Sequence, residues 1–347
     1  MKILHIIFSL NVGGAETMLV DIVNRQAETD QVHLIVINNS FSSELIDGIK
    51  PDILVYFVKR PVGSLNILKI LQLNYLVFKI QPDIIHFHDH NAIRLVRFKG
   101  TAKTCLTVHD VNKPIVNFKK YDRLYSISDA VKNDILRRSL SKSTRIYNGI
   151  DFNKVKRRKN YDFKPVFKIV QVGRLHSEKK GQNILLHALG LLINERHISN
   201  IRLDFIGDGP SLAQLQELST ELKISGQVAF LGVKTREQIY NDLRDYHLLV
   251  QPSYYEGFGL TVIEGIAAGL PVIVSNVDGP AEIIEGLPSA WRFELTDVWT
   301  LADHIVEIIE LYRLGKIETR CHLSYLTARN KFSIVKTAHN YVRSYHG

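Results

Sequence analysis

The chain of 347 residues has few cysteines and no long apolar run, and each of these features argues against a class of protein. Cys105 and Cys321 are its only cysteines. They are distant in sequence and lack metal-site spacing, so they predict reduced cytosolic thiols rather than a disulfide framework. No run of about 18 apolar residues occurs, so no membrane-spanning helix is expected. The apolar start breaks at Ser9 without a small-residue cleavage pattern, which predicts a first strand and not a signal peptide.

Acidic residues are scarce in the first half of the chain. Residues 1–168 carry a net charge of +12 and residues 169–347 a net charge of −3, which together give +9. The basic residues form three clusters, the last predicted to be a surface linker: Arg94/Arg97/Lys99/Lys103, Lys113/Lys119/Lys120/Arg123 and Lys154/Lys156/Arg157/Arg158/Lys159. No nucleic-acid recognition motif accompanies them, so no nucleic acid is expected as a partner. An anionic membrane surface, worth about 1 kcal/mol per nearby basic residue, is one hypothesis, and a merely solvated face is the other.

Apolar strands alternate with amphipathic helices along the whole chain. The predicted strands are 2–8, 32–37, 83–88, 104–108, 124–128, 167–172, 202–206, 228–231, 248–250 and 272–275. The predicted helices include 15–26, 129–138, 260–268 and 333–345. This alternation predicts an α/β protein with two doubly wound sheets, which bind ligands beyond the carboxyl ends of their strands. The predicted domains are 1–155 and 156–330, followed by a C-terminal helix in 331–347.

The most informative motif is the run QPSYYEGFGLTVIE at residues 251–264, which places Glu256 and Glu264 eight positions apart around a glycine-rich turn. The predicted helix start offers unpaired N–H groups as a phosphate cradle, from Phe258, Gly259, Leu260 and Thr261. A carboxylate to either side can accept two hydrogen bonds from a vicinal diol. This layout fits a nucleotide sugar, with Glu264 at the ribose, the helix start at the diphosphate and Glu256 at the sugar.

Two cations and two glycine turns complete the candidate donor site. Arg174 and Lys180 lie on one loop after a predicted strand, where they suit a diphosphate whose charge grows as the sugar bond breaks. Gly13 and Gly14 follow the first strand and allow the backbone to approach a ligand closely. Gly207 opens a further glycine loop, but the third glycine of a dinucleotide fingerprint is missing, so no NAD site is predicted.

Five motifs resemble, in the same order, those of the retaining group 1 (GT4) glycosyltransferases: VGGAE at 12–16, VHD at 108–110, NGID at 148–151, VGRLHSEKKG at 172–181 and the two glutamates. The resemblance implies a GT-B fold, in which two Rossmann-like domains face each other across a cleft, the first binding acceptor and the second the nucleotide sugar. It implies that the C-terminal helix crosses back to the first domain. It also places His109 against the sugar ring. Glu16, His86 and His88 are predicted to lie on the acceptor side.

Three patterns leave alternatives open. His86 and His88 project from one face of a strand, as two metal ligands should, but no third ligand is evident and the family is metal-independent, so no metal is predicted. His109 alone, without the resemblance, would be a structural residue. Residues 65–79 are apolar on most sides, which predicts a core helix, and membrane contact would need an exposed apolar stripe beside the basic residues.

We therefore predict a cytoplasmic retaining glycosyltransferase, with peripheral contact on the inner face of the cell membrane as a further hypothesis. The donor is a UDP- or GDP-sugar, no cofactor is needed, and the acceptor is a lipid-linked saccharide in bacterial-type cell-surface polysaccharide (O-antigen, capsule or lipopolysaccharide) biosynthesis. One alternative is another GT-B enzyme such as a sugar-nucleotide epimerase. The other is a non-catalytic sugar-nucleotide or nucleic-acid binding module. A short-lived ion pair and a covalent intermediate both remain open for the reaction.

Overall fold

The computed structural model describes residues 1–162 and 165–346, which form two compact units. The first unit contains residues 1–150 and the C-terminal residues from Phe332 onwards, and the second contains residues 151–331. The sequence places the boundary a few residues later, after residue 155. None of the helices in the described ranges combines the length and apolar content needed to cross a bilayer.

The first unit is built on a seven-stranded parallel sheet with strand order β3-β2-β1-β4-β5-β6-β7. The strands are β1 Lys2–Ile7, β2 Gln31–Asn38, β3 Leu54–Arg60, β4 Ile84–Phe87, β5 Lys103–Val108, β6 Arg123–Ser126 and β7 Thr144–Arg145. The helices before residue 150 are α1 Gly14–Gln26, α2 Ser43–Asp47, α3 Ile67–Ile80 and α4 Asp129–Ser139. Nearly every residue of β1, β2, β4 and β5 is buried, because helices cover both faces of a parallel sheet.

The second unit is built on a six-stranded parallel sheet with strand order β10-β9-β8-β11-β12-β13. The strands are β8 Phe167–Val172, β9 Ile201–Ile206, β10 Val228–Phe230, β11 Leu248–Gln251, β12 Val272–Ser275 and β13 Ala290–Phe293. The helices are α5 Ser177–Lys180, α6 Gln182–Gly190, α7 Leu212–Glu221, α8 Arg236–Asp242, α9 Leu260–Ala267, α10 Asp278–Ile284, α11 Val298–Arg313 and α12 Ile317–Phe332. The strand order reverses between β8 and β11, so loops after these neighbouring strands open the crevice where such sheets bind ligands.

The C-terminal helix α13 Ile334–His346 packs within the first unit, against α1. Its buried face includes Thr337, Tyr341 and Tyr345. Just before this helix, the backbone of Ser333 pairs with that of Ile150 in an isolated parallel bridge. Gly149 lies so close to Ser333 that a Cβ there would stand 2.7 Å from the Ser333 carbonyl oxygen, which explains the glycine of the NGID motif.

Helix α3 differs from the predicted core helix. Only Leu73, Asn74, Val77 and Ile80 are buried. Six large apolar side chains in or just before this helix are each more than half exposed, namely Leu65, Ile67, Leu68, Leu71, Tyr75 and Phe78. The prediction was wrong because a helix that is apolar on all sides is normally buried on all sides, whereas here the protein covers only one face of the helix.

The cluster at 154–159 is not a fully solvated linker either. Arg157 lies over the Tyr325 ring and within 3.0 Å of the ring nitrogen of His322. Arg158 donates to the carbonyl oxygens of Tyr246 and Asn160. Both arginines therefore fasten this segment to the second unit, while the lysines around them stay exposed.

Candidate functional site

The loops that follow β8 and β11 pack directly against each other in the second unit. Gly181 ends the first of these loops in a left-handed conformation, with φ of 65°, and a Cβ there would collide with the Pro252 carbonyl. The Tyr254 N–H donates to the Lys179 carbonyl at 2.9 Å. The glycine of the GRL…KG motif thus allows two loops, far apart in sequence, to form one surface at the strand ends.

The contact between these loops brings two of the predicted catalytic residues together. The Lys180 ammonium forms an ion pair with the Glu256 carboxylate, and each side chain is less than one-fifth exposed. The sequence predicts separate roles for them, with Lys180 at the diphosphate and Glu256 at the sugar. In this structure their charges compensate each other, so a ligand that binds either group must also affect the other.

Arg174 occupies a different position on the same loop. Its side chain is exposed and forms no ion pair with the described residues. Its backbone is held, because the Gln182 amide donates to the Arg174 carbonyl at 3.0 Å. An exposed guanidinium on a fixed backbone can turn toward an anionic ligand at small cost.

Gly207 has a structural explanation that the sequence alone does not suggest. It follows β9 with φ of 141°, and a Cβ there would collide with the Gly173 carbonyl. The neighbouring Leu175 N–H donates to the Asp208 carbonyl at 3.0 Å. The predicted donor-binding glycine therefore serves at least to let the loops after β8 and β9 touch.

Helix α9 begins close to Glu256. Gly259 precedes it with φ of 112°, a value that favours glycine, and as the N-cap residue it offers no side chain to cap the helix. The Val262 N–H of this first turn donates to the Gly259 carbonyl at 3.0 Å, which leaves the Leu260 and Thr261 N–H groups available to a phosphate. Thr261 directs its hydroxyl to the Gln251 side-chain oxygen at 3.2 Å, and Phe258 is buried. Glu264 lies one turn into the helix and is only 9% exposed.

Gly279 is outside the predicted set but shapes the same loop. It lies in the first turn of α10, and a Cβ there would stand 2.6 Å from the Glu256 carbonyl and 2.7 Å from the Phe258 nitrogen. The signal in the sequence is the Gly279-Pro280 pair just beyond strand β12, at the same sheet edge as the other motifs.

In the first unit, the glycine motif opens helix α1. Gly14 is its first residue, and Gly13 lies beside the folded-back Glu16 carboxylate, since a Cβ on Gly13 would stand 2.5 Å from Glu16 Oε2. Burial raises the pKa of Glu16, and burial likewise raises the pKa of Asp89, whose carboxylate accepts the Phe8 N–H at 2.7 Å. Two partly buried carboxyl groups thus lie at the carboxyl edge of this sheet.

His86 does not line a binding surface, which corrects the prediction that it lies on the acceptor side. It is fully buried, and its two ring nitrogens lie 2.6 Å from the Tyr345 hydroxyl and 2.7 Å from the Thr107 hydroxyl. His88 is also buried, between His5 and His109. Both side chains are therefore buried near the carboxyl edge of the sheet and do not lie on its surface.

A third histidine, His5, joins this cluster from strand β1. Ligand atoms of His5, His86 and His88 lie within 4.8 Å of one another, so the third metal ligand that the sequence does not reveal is present. However, each ring nitrogen of these three residues is within hydrogen-bonding distance of another protein group. Hydrogen bonds among protein groups therefore account for the cluster without an ion.

His109 follows β5 and is tied to this interior. Its Nε2 lies 3.2 Å from His88 Nδ1. Burial lowers its pKa to about 4, so the ring is neutral at physiological pH. The neutral imidazole is held on one side by His88. It is therefore better suited to form a single hydrogen bond with a ligand than to carry a proton.

The comparisons with known proteins identify the family. Residues 12–154 match the family model described as Glycosyltransferase Family 4, and residues 153–324 match that of Glycosyl transferases group 1. The chain belongs to the group 1 glycosyltransferases of family 4.

Individual relatives support this assignment over different lengths. The chain is 32% identical over 127 residues to Protein CapJ of Staphylococcus aureus, covering 36% of the chain and 32% of CapJ. It thus spans about a third of the length of the first curated relatives that it matches. It is 26% identical over 305 residues, 78% of the chain and 79% of the relative, to a Campylobacter jejuni N-acetylgalactosamine-N,N'-diacetylbacillosaminyl-diphospho-undecaprenol 4-alpha-N-acetylgalactosaminyltransferase.

A solved structure establishes the fold across the whole chain. HepE from Anabaena, in complex with UDP and glucose, superposes with a TM-score of 0.79 at 21% identity, covering 99% of each chain. Together with the two parallel sheets, this likeness shows the GT-B glycosyltransferase fold.

Proposed function

We propose that this protein transfers a sugar from a nucleotide diphosphate donor to a saccharide acceptor, with retention of anomeric configuration and without a cofactor. The observation that carries the proposal is the surface formed by the loops after β8 and β11. There the Lys180–Glu256 ion pair lies beside the uncapped start of α9, and Glu264 lies one turn further in.

The roles follow from charge and position. The helix start and Lys180 bind the diphosphate, and Arg174 turns toward it as its charge grows during bond cleavage. Glu264 accepts hydrogen bonds from the ribose diol, and Glu256 accepts them from the donor sugar. No side chain in this set is placed as a covalent nucleophile, so the acceptor hydroxyl attacks from the face that the diphosphate leaves. The donor base is proposed to be uracil or guanine, and the UDP complex of HepE favours uracil.

The acceptor is proposed to be a lipid-linked saccharide in the assembly of a cell-surface polysaccharide. Support comes from the Campylobacter relative, whose name describes transfer to a diphospho-undecaprenol saccharide and which aligns over most of both chains. Such an acceptor remains in the membrane, so the enzyme must work at a bilayer surface.

The exposed face of helix α3 is the proposed membrane contact. Loop residues that carry Arg94, Arg97 and Lys99 are fastened to it by Asn74, which accepts the Arg97 N–H at 2.6 Å and donates to the Leu95 carbonyl at 2.9 Å. An apolar patch next to exposed cations matches an anionic bilayer, which offers acyl chains and negative headgroups together. Large contiguous apolar patches are rare on the surface of soluble monomers and often mark interaction sites.

Transfer is tested by incubating the purified chain with UDP- and GDP-sugars, with and without undecaprenyl-diphosphate-linked saccharides. Release of the nucleoside diphosphate that requires acceptor supports a transferase, and an anomeric proton coupling in the product that matches the donor supports retention. Release without acceptor, or conversion of one donor sugar into its epimer, would contradict the proposal.

Membrane contact is tested by sedimentation with vesicles that contain acidic lipids. Leu68→Gln with Leu71→Gln should abolish most binding, whereas Leu314→Gln with Leu326→Gln, which alters exposed leucines of the second unit, should not. Binding of the wild type should weaken with salt, because exposed charges are screened over about 10 Å at 0.1 M. Equal binding of both double variants would contradict the role of α3.

A further inference from the structure

A continuous chain of hydrogen bonds leads from His109 into the core of the first unit. His109 Nε2 lies 3.2 Å from His88 Nδ1, and His88 Nε2 lies 3.0 Å from His5 Nδ1. His5 Nε2 in turn lies 2.7 Å from the side-chain oxygen of Gln26. His5, His88 and Gln26 are all buried, so these contacts are shielded from bulk solvent.

The hydrogen bonds in this series all run in one direction, which the Gln26 side chain determines. The Gln26 carbonyl oxygen can only accept, so His5 must carry its proton on Nε2 and accept on Nδ1. His88 then donates from Nε2 to His5 and accepts on Nδ1 from the Nε2–H of His109. Burial lowers the pKa of each of the three histidines, so all are neutral and this alternation of donor and acceptor holds.

The outer end of the chain is consistent with this direction. His109 Nδ1 is shielded from solvent and has no hydrogen-bond partner among the described residues. A bare lone pair in such a place costs less than an orphaned N–H, which is rarely left unpaired in folded proteins. The unpartnered nitrogen is therefore better explained as an acceptor than as a donor.

At its buried end, the series of hydrogen bonds continues from Gln26 to helix α13. The Gln26 amide nitrogen lies 3.4 Å from the Tyr345 hydroxyl, which lies 2.6 Å from His86 Nδ1. With the Gln26 nitrogen donating to Tyr345, the Tyr345 hydroxyl can donate to His86 Nδ1, which agrees with the Gln26 oxygen facing His5. If the Gln26 amide were rotated by half a turn, every donor in the chain would become an acceptor, because amide orientation and histidine tautomers are interdependent.

We propose that Gln26, His5 and His88 are positioning residues that hold His109 as the Nε2–H tautomer, so that His109 Nδ1 serves the ligand only as a hydrogen-bond acceptor. Given the proposed function, a saccharide that reaches this nitrogen must present a hydroxyl to it. A carboxylate at the same point would place one acceptor against another, so this nitrogen disfavours the carboxylate of a uronic acid.

The test is a long-range proton–nitrogen NMR correlation of the full chain labelled with ¹⁵N-histidine, without ligand, with His109 assigned through His109→Ala. We expect an unprotonated Nδ1 and a protonated Nε2. A protonated Nδ1, or two protonated nitrogens at neutral pH, would overturn the proposal. This result does not depend on sugar transfer, so it can fail while the proposed function stands.

Gln26→Met tests the positioning role, because methionine keeps the length and removes the acceptor. We expect both His109 tautomers to appear and transfer to fall about fivefold to tenfold, the worth of one hydrogen bond. His33→Gln is the control, since His33 is buried in the same sheet without a hydrogen-bond partner in the described part of the chain. If Gln26→Met folds and leaves the His109 spectrum unchanged, the positioning role is refuted. If it does not fold, the wild-type spectrum still decides the tautomer.

Discussion

The ion pair between Lys180 and Glu256 leads to opposite expectations for two substitutions in one contact. Lys180→Met removes a cation from the diphosphate site, and a hydrogen bond to a charged group is worth about 1.5 to 3 kcal/mol. Free UDP or GDP should therefore bind about 10- to 150-fold more weakly. Glu256→Gln removes the group that competes for Lys180, so nucleoside diphosphate affinity should stay the same or rise by up to about tenfold. Transfer should still fall about 10²-fold, because the donor sugar loses a charged acceptor.

Isothermal titration with UDP and GDP measures the first effect, and initial transfer rates measure the second. The matched control is the Lys234–Asp242 pair, which also lies in the second unit with its charged atoms 2.6 Å apart but outside the predicted site. Lys234→Met and Asp242→Asn should leave both quantities unchanged. If Glu256→Gln weakens nucleoside diphosphate binding as much as Lys180→Met does, the division of roles is wrong.

Three other variants or conditions test the structure at separate points. The first unit should lose stability as pH falls from 6.5 toward 4, about 3 kcal/mol from His5 alone, because its pKa is about 4 when folded and about 6.5 when unfolded. Hydrogen exchange in β1 that is independent of pH in this window, after correction for intrinsic rates, would contradict this. Gly181→Ala should lower the free energy of unfolding at least twice as much as Gly286→Ala. Gly286 is the control because its left-handed φ is similar but its surroundings are open. Equal losses of stability in urea titrations would show that the close contact with Pro252 does not matter for stability. Arg174→Ala should keep the wild-type melting temperature and lose about 10²-fold in turnover, and near-normal rates would remove it from the mechanism.

Much of the fold could be predicted because local signals agreed with the global arrangement. Strands such as β8 and β11 are short buried apolar runs, and helix α9 starts after a glycine that adopts a positive φ. Since all strands of each sheet are parallel, every motif at a strand end lies at the carboxyl edge of its own sheet. The sequence therefore predicted which residues share that edge without giving any distance between them.

What could not be predicted depends on contacts between distant segments. His5 lies 83 positions from His88, and Lys180 lies 76 positions from Glu256, so neither pairing leaves a local pattern. Strand β13 was missed because only Phe293 of its four residues is buried, so no buried apolar run marks it, and its pairing with β12 defines it. Helix α3 shows the reverse error, since an apolar pattern cannot say whether a partner covers it.

The central claim is that the start of α9, with Glu264 behind it, binds a nucleoside diphosphate. Titration of UDP and GDP into the wild type, Glu264→Gln and Glu217→Gln tests it most directly, because Glu217 is an exposed glutamate of α7 in the same unit. We predict that the wild type and Glu217→Gln bind one of these nucleotides equally well, and that Glu264→Gln binds it about 10- to 150-fold more weakly. Equal affinity of all three proteins, or no binding of either nucleotide by the wild type, would contradict the account.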